Sequence, residues 1–132
     1  MTHLLDTNAW IVYLKSPQTQ IRERLEKLRP GDVALCSVVK AELWHGAEKY
    51  GNRLHRLELL QRTFAPYVSL PFDDAAASEY SRLRHQLEIA GQVLGPNDLM
   101  IAASALTNRL TLVTHNTSEF GRVMGLSVED WQ

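Results

Sequence analysis

The chain has a single cysteine, Cys36, and no run of apolar residues long enough to cross a membrane. One thiol cannot form an intramolecular disulfide, and it cannot by itself supply the cysteine cluster of a zinc site. Because Cys36 ends an apolar run, we expect it to be buried in the core. A membrane span needs about 18 apolar residues, and no cationic signal segment precedes the first apolar stretch. We therefore expect a cytoplasmic protein without a membrane partner.

The sequence also lacks an excess of charge of either sign. Lys and Arg number 14 against 15 Asp and Glu, which gives a net charge of -1. Bulk charge therefore neither indicates nor excludes a nucleic-acid partner, since acids clustered around a cation would leave the remaining surface more basic. Two phosphate-binding patterns are missing as well, the Gly-x-Gly-x-x-Gly turn after a strand and the Gly-Lys-Thr/Ser loop. These absences argue against the common nucleotide-binding α/β enzymes.

The composition that remains is that of an ordinary globular protein. The chain has 132 residues, of which 45% are hydrophobic and 22% charged. This length is enough for one sizeable core and too short for two comfortable ones. We expect one domain over residues 1–132.

Short apolar runs alternate with longer amphipathic stretches along the chain. The short runs predict strands over residues 4–5, 33–36, 67–70 and 110–114. The stretches between them predict helices over residues 9–14, 18–28, 38–50 and 53–64, a long helix ending at Ala90, and a buried helix opened by residues 95–98. Strands separated by helices predict an α/β fold, with a short central, mainly parallel sheet of four or five strands flanked by helices on both faces.

Small polar residues precede several of the predicted helices. Thr7 or Asn8 is expected to cap the first helix, Ser16 the second and Ser37 the third. Asp6 lies where the first strand passes into the first helix. It could therefore serve only as part of that helix cap, or it could lie at the ligand-binding edge of the sheet.

Three acids occupy comparable junctions between strands and helices: Asp6, Glu42 and Asp98. Each has a purely structural alternative, because Asp6 could cap a helix, Asp98 would favour a helix dipole and Glu42 could border a buried stripe. Carboxylates brought together repel one another unless a cation neutralises them. Mg²⁺ or Mn²⁺ suits this role, since hard divalent ions prefer oxygen ligands.

Four separated motifs carry a family resemblance. They are Leu-Asp-Thr-Asn at 5–8, Ser-Val-Val-Lys-Ala-Glu-Leu at 37–43, Gly-Pro-Asn-Asp-Leu-Met-Ile-Ala-Ala at 95–103, and Leu-Val-Thr-His-Asn-Thr-Ser-Glu-Phe at 112–120. In this order and spacing the chain resembles the PIN-domain ribonucleases, and among them the VapC toxins of bacterial toxin–antitoxin pairs. The resemblance covers essentially the whole chain.

The resemblance implies a function and a set of site residues. Asp6, Glu42 and Asp98 would be metal-binding acids of a Mg²⁺- or Mn²⁺-dependent endoribonuclease that hydrolyses RNA phosphodiester bonds with a metal-activated water. The nearest-looking VapC branch implies tRNA, and within it initiator tRNA, as the substrate. A VapB-type antitoxin that blocks the acidic site and a homodimeric toxin are implied as well. Large aromatic residues near the first and third helices would suit a partner groove, although some must belong to the core.

The last motif departs from the family pattern. Many PIN domains have an aspartate where Asn116 stands. Either the neutral Asn116 amide binds water or substrate, or Glu119 supplies the fourth acid. Asn116 is preferred for its position. The departure also supports an alternative function, a catalytically weak PIN-like regulatory or RNA-binding module. His115, beside this motif, could contact RNA or could be an ordinary exposed loop histidine.

Overall fold

Five short strands form one sheet in a computed structural model that describes residues 1–132. The strands are β1 His3–Leu5, β2 Val33–Cys36, β3 Val68–Leu70, β4 Thr111–Val113 and β5 Val128–Glu129. Their order across the sheet is β3-β2-β1-β4-β5, and every neighbouring pair is parallel. The predicted α/β fold with a central parallel sheet is confirmed, and β5 is a strand whose position the sequence pattern does not predict.

Seven α-helices connect and cover the strands. They are α1 Thr7–Lys15, α2 Gln20–Glu26, α3 Ser37–Lys49, α4 Arg53–Phe64, α5 Asp74–Ile89, α6 Pro96–Thr107 and α7 Thr117–Phe120. The sheet grows from β1 towards β3 on one side and continues with β4 and β5 on the other, so right-handed connections place the two groups of helices on opposite faces. None of the helices combines the length and the hydrophobicity needed to span a bilayer.

Three of the predicted helix caps are wrong. Asp6 itself is the N-cap of α1, because the helix starts directly after β1 and its first residue is already Thr7. Thr19 caps α2, since α1 continues to Lys15 and Ser16 ends it. Ser37 is the first residue of α3 rather than its cap, and no side chain caps that helix. In each case the helix boundary is shifted from the one that the polar residues indicate.

The central strands are buried on both faces. Leu4 and Leu5 of β1 are fully inaccessible to solvent, and Cys36 at the end of β2 is buried as expected. Burying a leucine side chain stabilises the fold by about 1.5–3 kcal/mol relative to leaving it exposed. Trp10 of α1 is also fully buried, with its ring packed edge-on against Tyr13. The start of the chain is therefore a rigid support for the residue that follows β1.

Candidate active site

The carboxyl ends of β1 and β4 meet where the chain reverses its direction of growth across the sheet. Asp6 follows β1, and its backbone N–H donates to the carbonyl of Val113, the last residue of β4, at 3.0 Å. Open α/β sheets bind ligands in the crevice outside the strand ends at such a reversal. The fold thus places Asp6 at the point where a site is expected.

Asp6 is a buried carboxylate, only 5% exposed. Its Oδ1 accepts a hydrogen bond from the N–H of Ala9 at 2.9 Å, which caps α1. Burial raises the pKa of Asp6, and the charges of Glu42 and Asp130 raise it further. Hydrogen bonds from the Thr114 side chain and the Ala9 amide act against this rise. Asp6 is therefore both a helix cap and a member of an acidic cluster, so the two interpretations of this residue are compatible.

Glu42 reaches the same region from the second turn of α3. The hydroxyl of Thr7, the first residue of α1, donates to Glu42 Oε1 at 2.6 Å. A short hydrogen bond to an ionised carboxylate is among the stronger kinds in proteins. Thr7 therefore orients Glu42 towards Asp6, a role that sequence reasoning misses because the two residues are 35 positions apart.

Replacing Thr7 by valine tests this positioning role. We expect the RNA cleavage that the family resemblance implies to fall about 10- to 100-fold in Thr7→Val, as is typical when a group that orients an expected metal ligand is removed. The free energy of unfolding should change by no more than about 1.5 kcal/mol, the usual contribution of one hydrogen bond. Thr7→Ser retains the hydroxyl and is the matched control. Equal activity of the valine and serine variants would show that Thr7 does not position Glu42.

Asp98 lies in the first turn of α6 and is partly buried. Burial is the main cause of its raised pKa, followed by the charges of Glu42, Asp6 and Glu119. Every one of these four influences disfavours the ionised form. The predicted meeting of three acids is thus present as a cluster of like charges, and Glu119 belongs to it.

Asn116 and Glu119, the two candidates for completing the site, are bonded to each other. The Asn116 side-chain amide donates to Glu119 Oε2 at 2.8 Å, and the Asn116 backbone N–H donates to the Thr114 hydroxyl at 3.0 Å. Asn116 is the residue before α7, a one-turn helix that carries Glu119. The negative charge of Glu119 therefore acts on Asp98, and the Asn116 amide holds the Glu119 carboxylate in place.

An open cleft of about 420 Å³ lies in front of the acids. Its polar lining comprises Asp6, Thr7, Asn8, Glu42, His45, Lys49, Tyr50, Asn97 and Asp98. Beside it, an apolar groove of about 460 Å³ runs between α1, α3 and α4 and shares Ile11, Glu42, Gly46 and Tyr50 with the cleft. Of the aromatic residues near these helices, Tyr50 is 61% exposed in the groove, whereas Trp10 belongs to the core.

The donor set suits a hydrated Mg²⁺ or Mn²⁺ ion. Nowhere in the chain do three or more His, Cys, Asp or Glu side chains lie close enough together to bind one ion jointly. Mg²⁺ does not require such a cage, because it usually keeps several waters and is bound through one or two carboxylates. The side chains of Asp6, Glu42 and Asp98 offer oxygen atoms alone. Burial and, after it, repulsion between neighbouring acids raise the pKa of Asp6 and Asp98, and a cation would relieve that repulsion. The residues present therefore fit this kind of ion.

Comparison with known proteins identifies the family of the fold. The model of the PIN domain matches residues 3–126. The tRNA(fMet)-specific endonuclease VapC of Shigella flexneri is 38% identical over 128 residues, which are 97% of this chain and 96% of that protein. Ribonuclease VapC2 of Rickettsia felis is 32% identical over 132 residues, or 99% and 98% of the two chains. The crystal structure of DNA-bound VapBC from Salmonella typhimurium superposes with a TM-score of 0.94 at 33% identity and covers 100% of this chain and 99% of that one.

Proposed function

The chain belongs to the PIN-domain family, and we propose that residues 1–132 form one PIN domain that acts as a metal-dependent endoribonuclease toxin of the VapC type. The observation that carries the proposal is the meeting of Asp6, Glu42 and Asp98 at one cleft of the sheet edge. Carboxylates that are held close together without a neutralising charge repel one another, which destabilises the fold. A metal-dependent nuclease site requires such a cluster, because its carboxylates bind the cation. The relatives named as endonuclease or ribonuclease over nearly their whole length support the same activity.

In this proposal Asp6, Glu42 and Asp98 hold Mg²⁺ or Mn²⁺. When bound, such an ion lowers the pKa of a coordinated water and neutralises charge on the phosphate that is attacked. Asp6 is buried directly after β1, the Thr7 hydroxyl orients Glu42, and the Asn116 amide orients Glu119. These supports hold the acids at the cleft, where a hydrated ion would be bound directly by one or two of the carboxylates and through its waters by the others.

We propose tRNA as the substrate class and, among the tRNAs, initiator tRNA. The support is the name of the Shigella flexneri relative, a tRNA(fMet)-specific endonuclease. His45 and Lys49 line the same cleft, on the helix that carries Glu42, and offer contacts for a phosphate backbone. The proposed site of action is accordingly the cytoplasm, where tRNA is found.

We propose a VapB-type antitoxin as the regulatory partner. Related structures are of VapBC, including those from Salmonella typhimurium and Rickettsia felis. The apolar groove beside the acidic cleft is lined by Ile11, Leu14, Leu43, Ala47, Leu59 and Leu60, and it offers an apolar peptide a place to bind. A partner in this groove would reach Glu42, which borders both groove and cleft. A homodimeric toxin is proposed on the family resemblance alone.

Cleavage of RNA by the purified protein tests the activity. Wild-type protein freed of any copurifying partner should cleave tRNA in Mg²⁺ and should lose the activity in EDTA. Cleavage that persists in EDTA would contradict the metal-dependent mechanism. An inactive wild type that still binds tRNA would instead support the second candidate, a catalytically weak RNA-binding module, which the neutral side chain of Asn116 favours.

Variants at the last motif separate the roles of its two candidates. We expect Glu119→Gln to lower cleavage more than Asn116→Ala, because the charge of Glu119 reaches Asp98 whereas Asn116 acts by orienting Glu119. The loss for Asn116→Ala should be about 10- to 100-fold, and the double variant should be no worse than Glu119→Gln alone. Independent, multiplying losses measured by single-turnover kinetics would mean that Asn116 acts directly on water or substrate.

A further inference from the structure

A histidine and an aspartate that the proposed mechanism does not use lie beside the acidic cluster. His115 is the second residue after β4, and its side chain is 68% exposed. Its Nδ1 lies 3.0 Å from Oδ2 of Asp130, the residue that follows β5. The other carboxylate oxygen of Asp130 accepts a hydrogen bond from the backbone N–H of Gln132 at 2.9 Å. The carboxylate is therefore fixed, and it fixes the imidazole in turn.

The strand order places this pair next to Asp6. The strands β1, β4 and β5 are adjacent and parallel, so the residues after them share one edge of the sheet. Backbone hydrogen bonds join these ends directly, from Asp6 N–H to the Val113 carbonyl at 3.0 Å and from Thr114 N–H to the Glu129 carbonyl at 2.9 Å. The charge of Asp130 also contributes to the raised pKa of Asp6. The pair thus borders the acidic cluster on its β5 side.

The hydrogen bonding of His115 leaves one ring nitrogen available. An ionised carboxylate can only accept, so Nδ1 must carry the proton that it donates to Asp130. Nε2 has no protein partner, and the ring is exposed. His3 provides a contrast, since its Nε2 bonds Glu129 at 2.9 Å, its Nδ1 bonds the Thr2 hydroxyl at 2.7 Å and its side chain is only 18% exposed. His3 is used fully within the fold, whereas His115 is oriented and open to solvent.

We infer that His115 contacts the RNA substrate, with its Nε2 donating to a phosphate oxygen next to the cleaved bond, and that Asp130 is the residue that positions it. This inference rests on the proposed ribonuclease function. A phosphate approaching Asp6, Asp98 and Glu42 meets like charges, and a cationic donor at the border of the cluster offsets part of this repulsion. Because Nδ1 already donates to Asp130, Nε2 donates to the phosphate only when the ring is doubly protonated. An imidazolium between a carboxylate and a phosphate has both N–H groups in charge-assisted hydrogen bonds.

The test measures kcat and KM for tRNA cleavage in Mg²⁺ by wild type, His115→Gln and Asp130→Asn. We expect KM of His115→Gln to rise about tenfold or more, the loss typical of one charge-assisted hydrogen bond, with kcat within about threefold of wild type. Asp130→Asn should change KM in the same direction by less. His115→Arg keeps a cationic donor and should restore KM to within a few-fold of wild type. His3→Gln also removes a histidine bonded to a carboxylate, and it should leave KM unchanged.

An unchanged KM for His115→Gln, or a loss confined to kcat, would overturn the inference. If the wild-type protein does not cleave RNA, the ribonuclease proposal fails on its own. The affinity of the same variants for fluorescently labelled tRNA then tests whether His115 contacts the RNA. An affinity at least about tenfold weaker for His115→Gln than for wild type would still support the phosphate contact. Equal affinities would overturn it. Thermal melting of each variant excludes unfolding as the cause of a weaker interaction.

Discussion

Asp98→Asn is expected to lower the rate of RNA cleavage by at least about a hundredfold while leaving the protein folded. The loss should exceed the 10- to 100-fold that follows removal of a group supporting a metal ligand, because Asp98 is proposed to be a ligand itself. The folded protein should be no less stable, since burial and three neighbouring acids all disfavour the Asp98 carboxylate. The combination of lost activity and retained or increased stability is typical of residues kept for function.

Asp74→Asn is the matched control for this variant. Asp74 occupies the first turn of α5 as Asp98 occupies that of α6, but it is exposed and does not line the cleft. Single-turnover cleavage and thermal melting should show wild-type activity for Asp74→Asn. A large fall in stability of Asp98→Asn, with activity lost only in proportion to unfolding, would mean that Asp98 mainly supports the start of α6.

Without divalent cations, we expect Asp6 and Asp98 to make the wild-type protein more stable as the pH falls from neutral. Burial and like charges raise the pKa of Asp6 and Asp98 in the folded state. In the pH range between the ordinary aspartate pKa of about 3.9 and these raised values, the folded state binds more protons than the unfolded chain. Stability from these two groups is therefore gained as the pH falls through that range and lost as it rises.

The difference between variants isolates this contribution. Asp32 and Glu48, whose pKa values are lowered by hydrogen bonds from Arg29 and Arg53, act in the opposite direction at lower pH. Urea denaturation of wild type and Asp98→Asn at several pH values cancels such common effects. The advantage of Asp98→Asn over wild type should be largest near neutral pH and should shrink with acidification. A constant difference would contradict the raised pKa of Asp98.

Mg²⁺ should remove much of this pH dependence. An ion bound only by the folded state, at about 100 times its dissociation constant, adds about 2.7 kcal/mol to the free energy of unfolding. The gain should be greatest near neutral pH, since protons compete with the ion for Asp6 and Asp98.

The placement of Asp6, Glu42 and Asp98 is predictable from the sequence for a geometric reason. Apolar runs identify β1 and β2, and parallel strands bring their carboxyl ends to one edge, so a residue that follows a strand has a known position in space. The same applies to Asp98 in the first turn of a helix marked by Pro96.

Other parts of the site depend on contacts that no local pattern records. The bond from Thr7 to Glu42 joins two helices, and its geometry follows from how α1 packs beside α3. The strand β5 has only two residues, too few for a recognisable alternation, so Asp130 cannot be assigned to the sheet edge beforehand. The alternation of Leu126 and Val128 before two acids is the one weak signal for it.

The helix caps show a different difficulty. Ser16 is a suitable cap by residue type, yet the preceding helix extends to Lys15 and leaves Thr19 to start α2. Tertiary packing decides such boundaries, because the preference for one cap over another is only about 1 kcal/mol.

Binding of Mn²⁺ to the purified protein, measured by titration calorimetry without RNA, tests most directly whether the acids form a metal site. Wild type should bind the ion, Asp98→Asn and Asp6→Asn should bind it at least about tenfold more weakly, and Asp74→Asn should match wild type. Because asparagine is also a good helix cap, Asp6→Asn should remain folded, with a loss of no more than about 1 kcal/mol. Wild-type affinity in both site variants, or no binding by folded wild type, would contradict a metal site built from Asp6, Glu42 and Asp98.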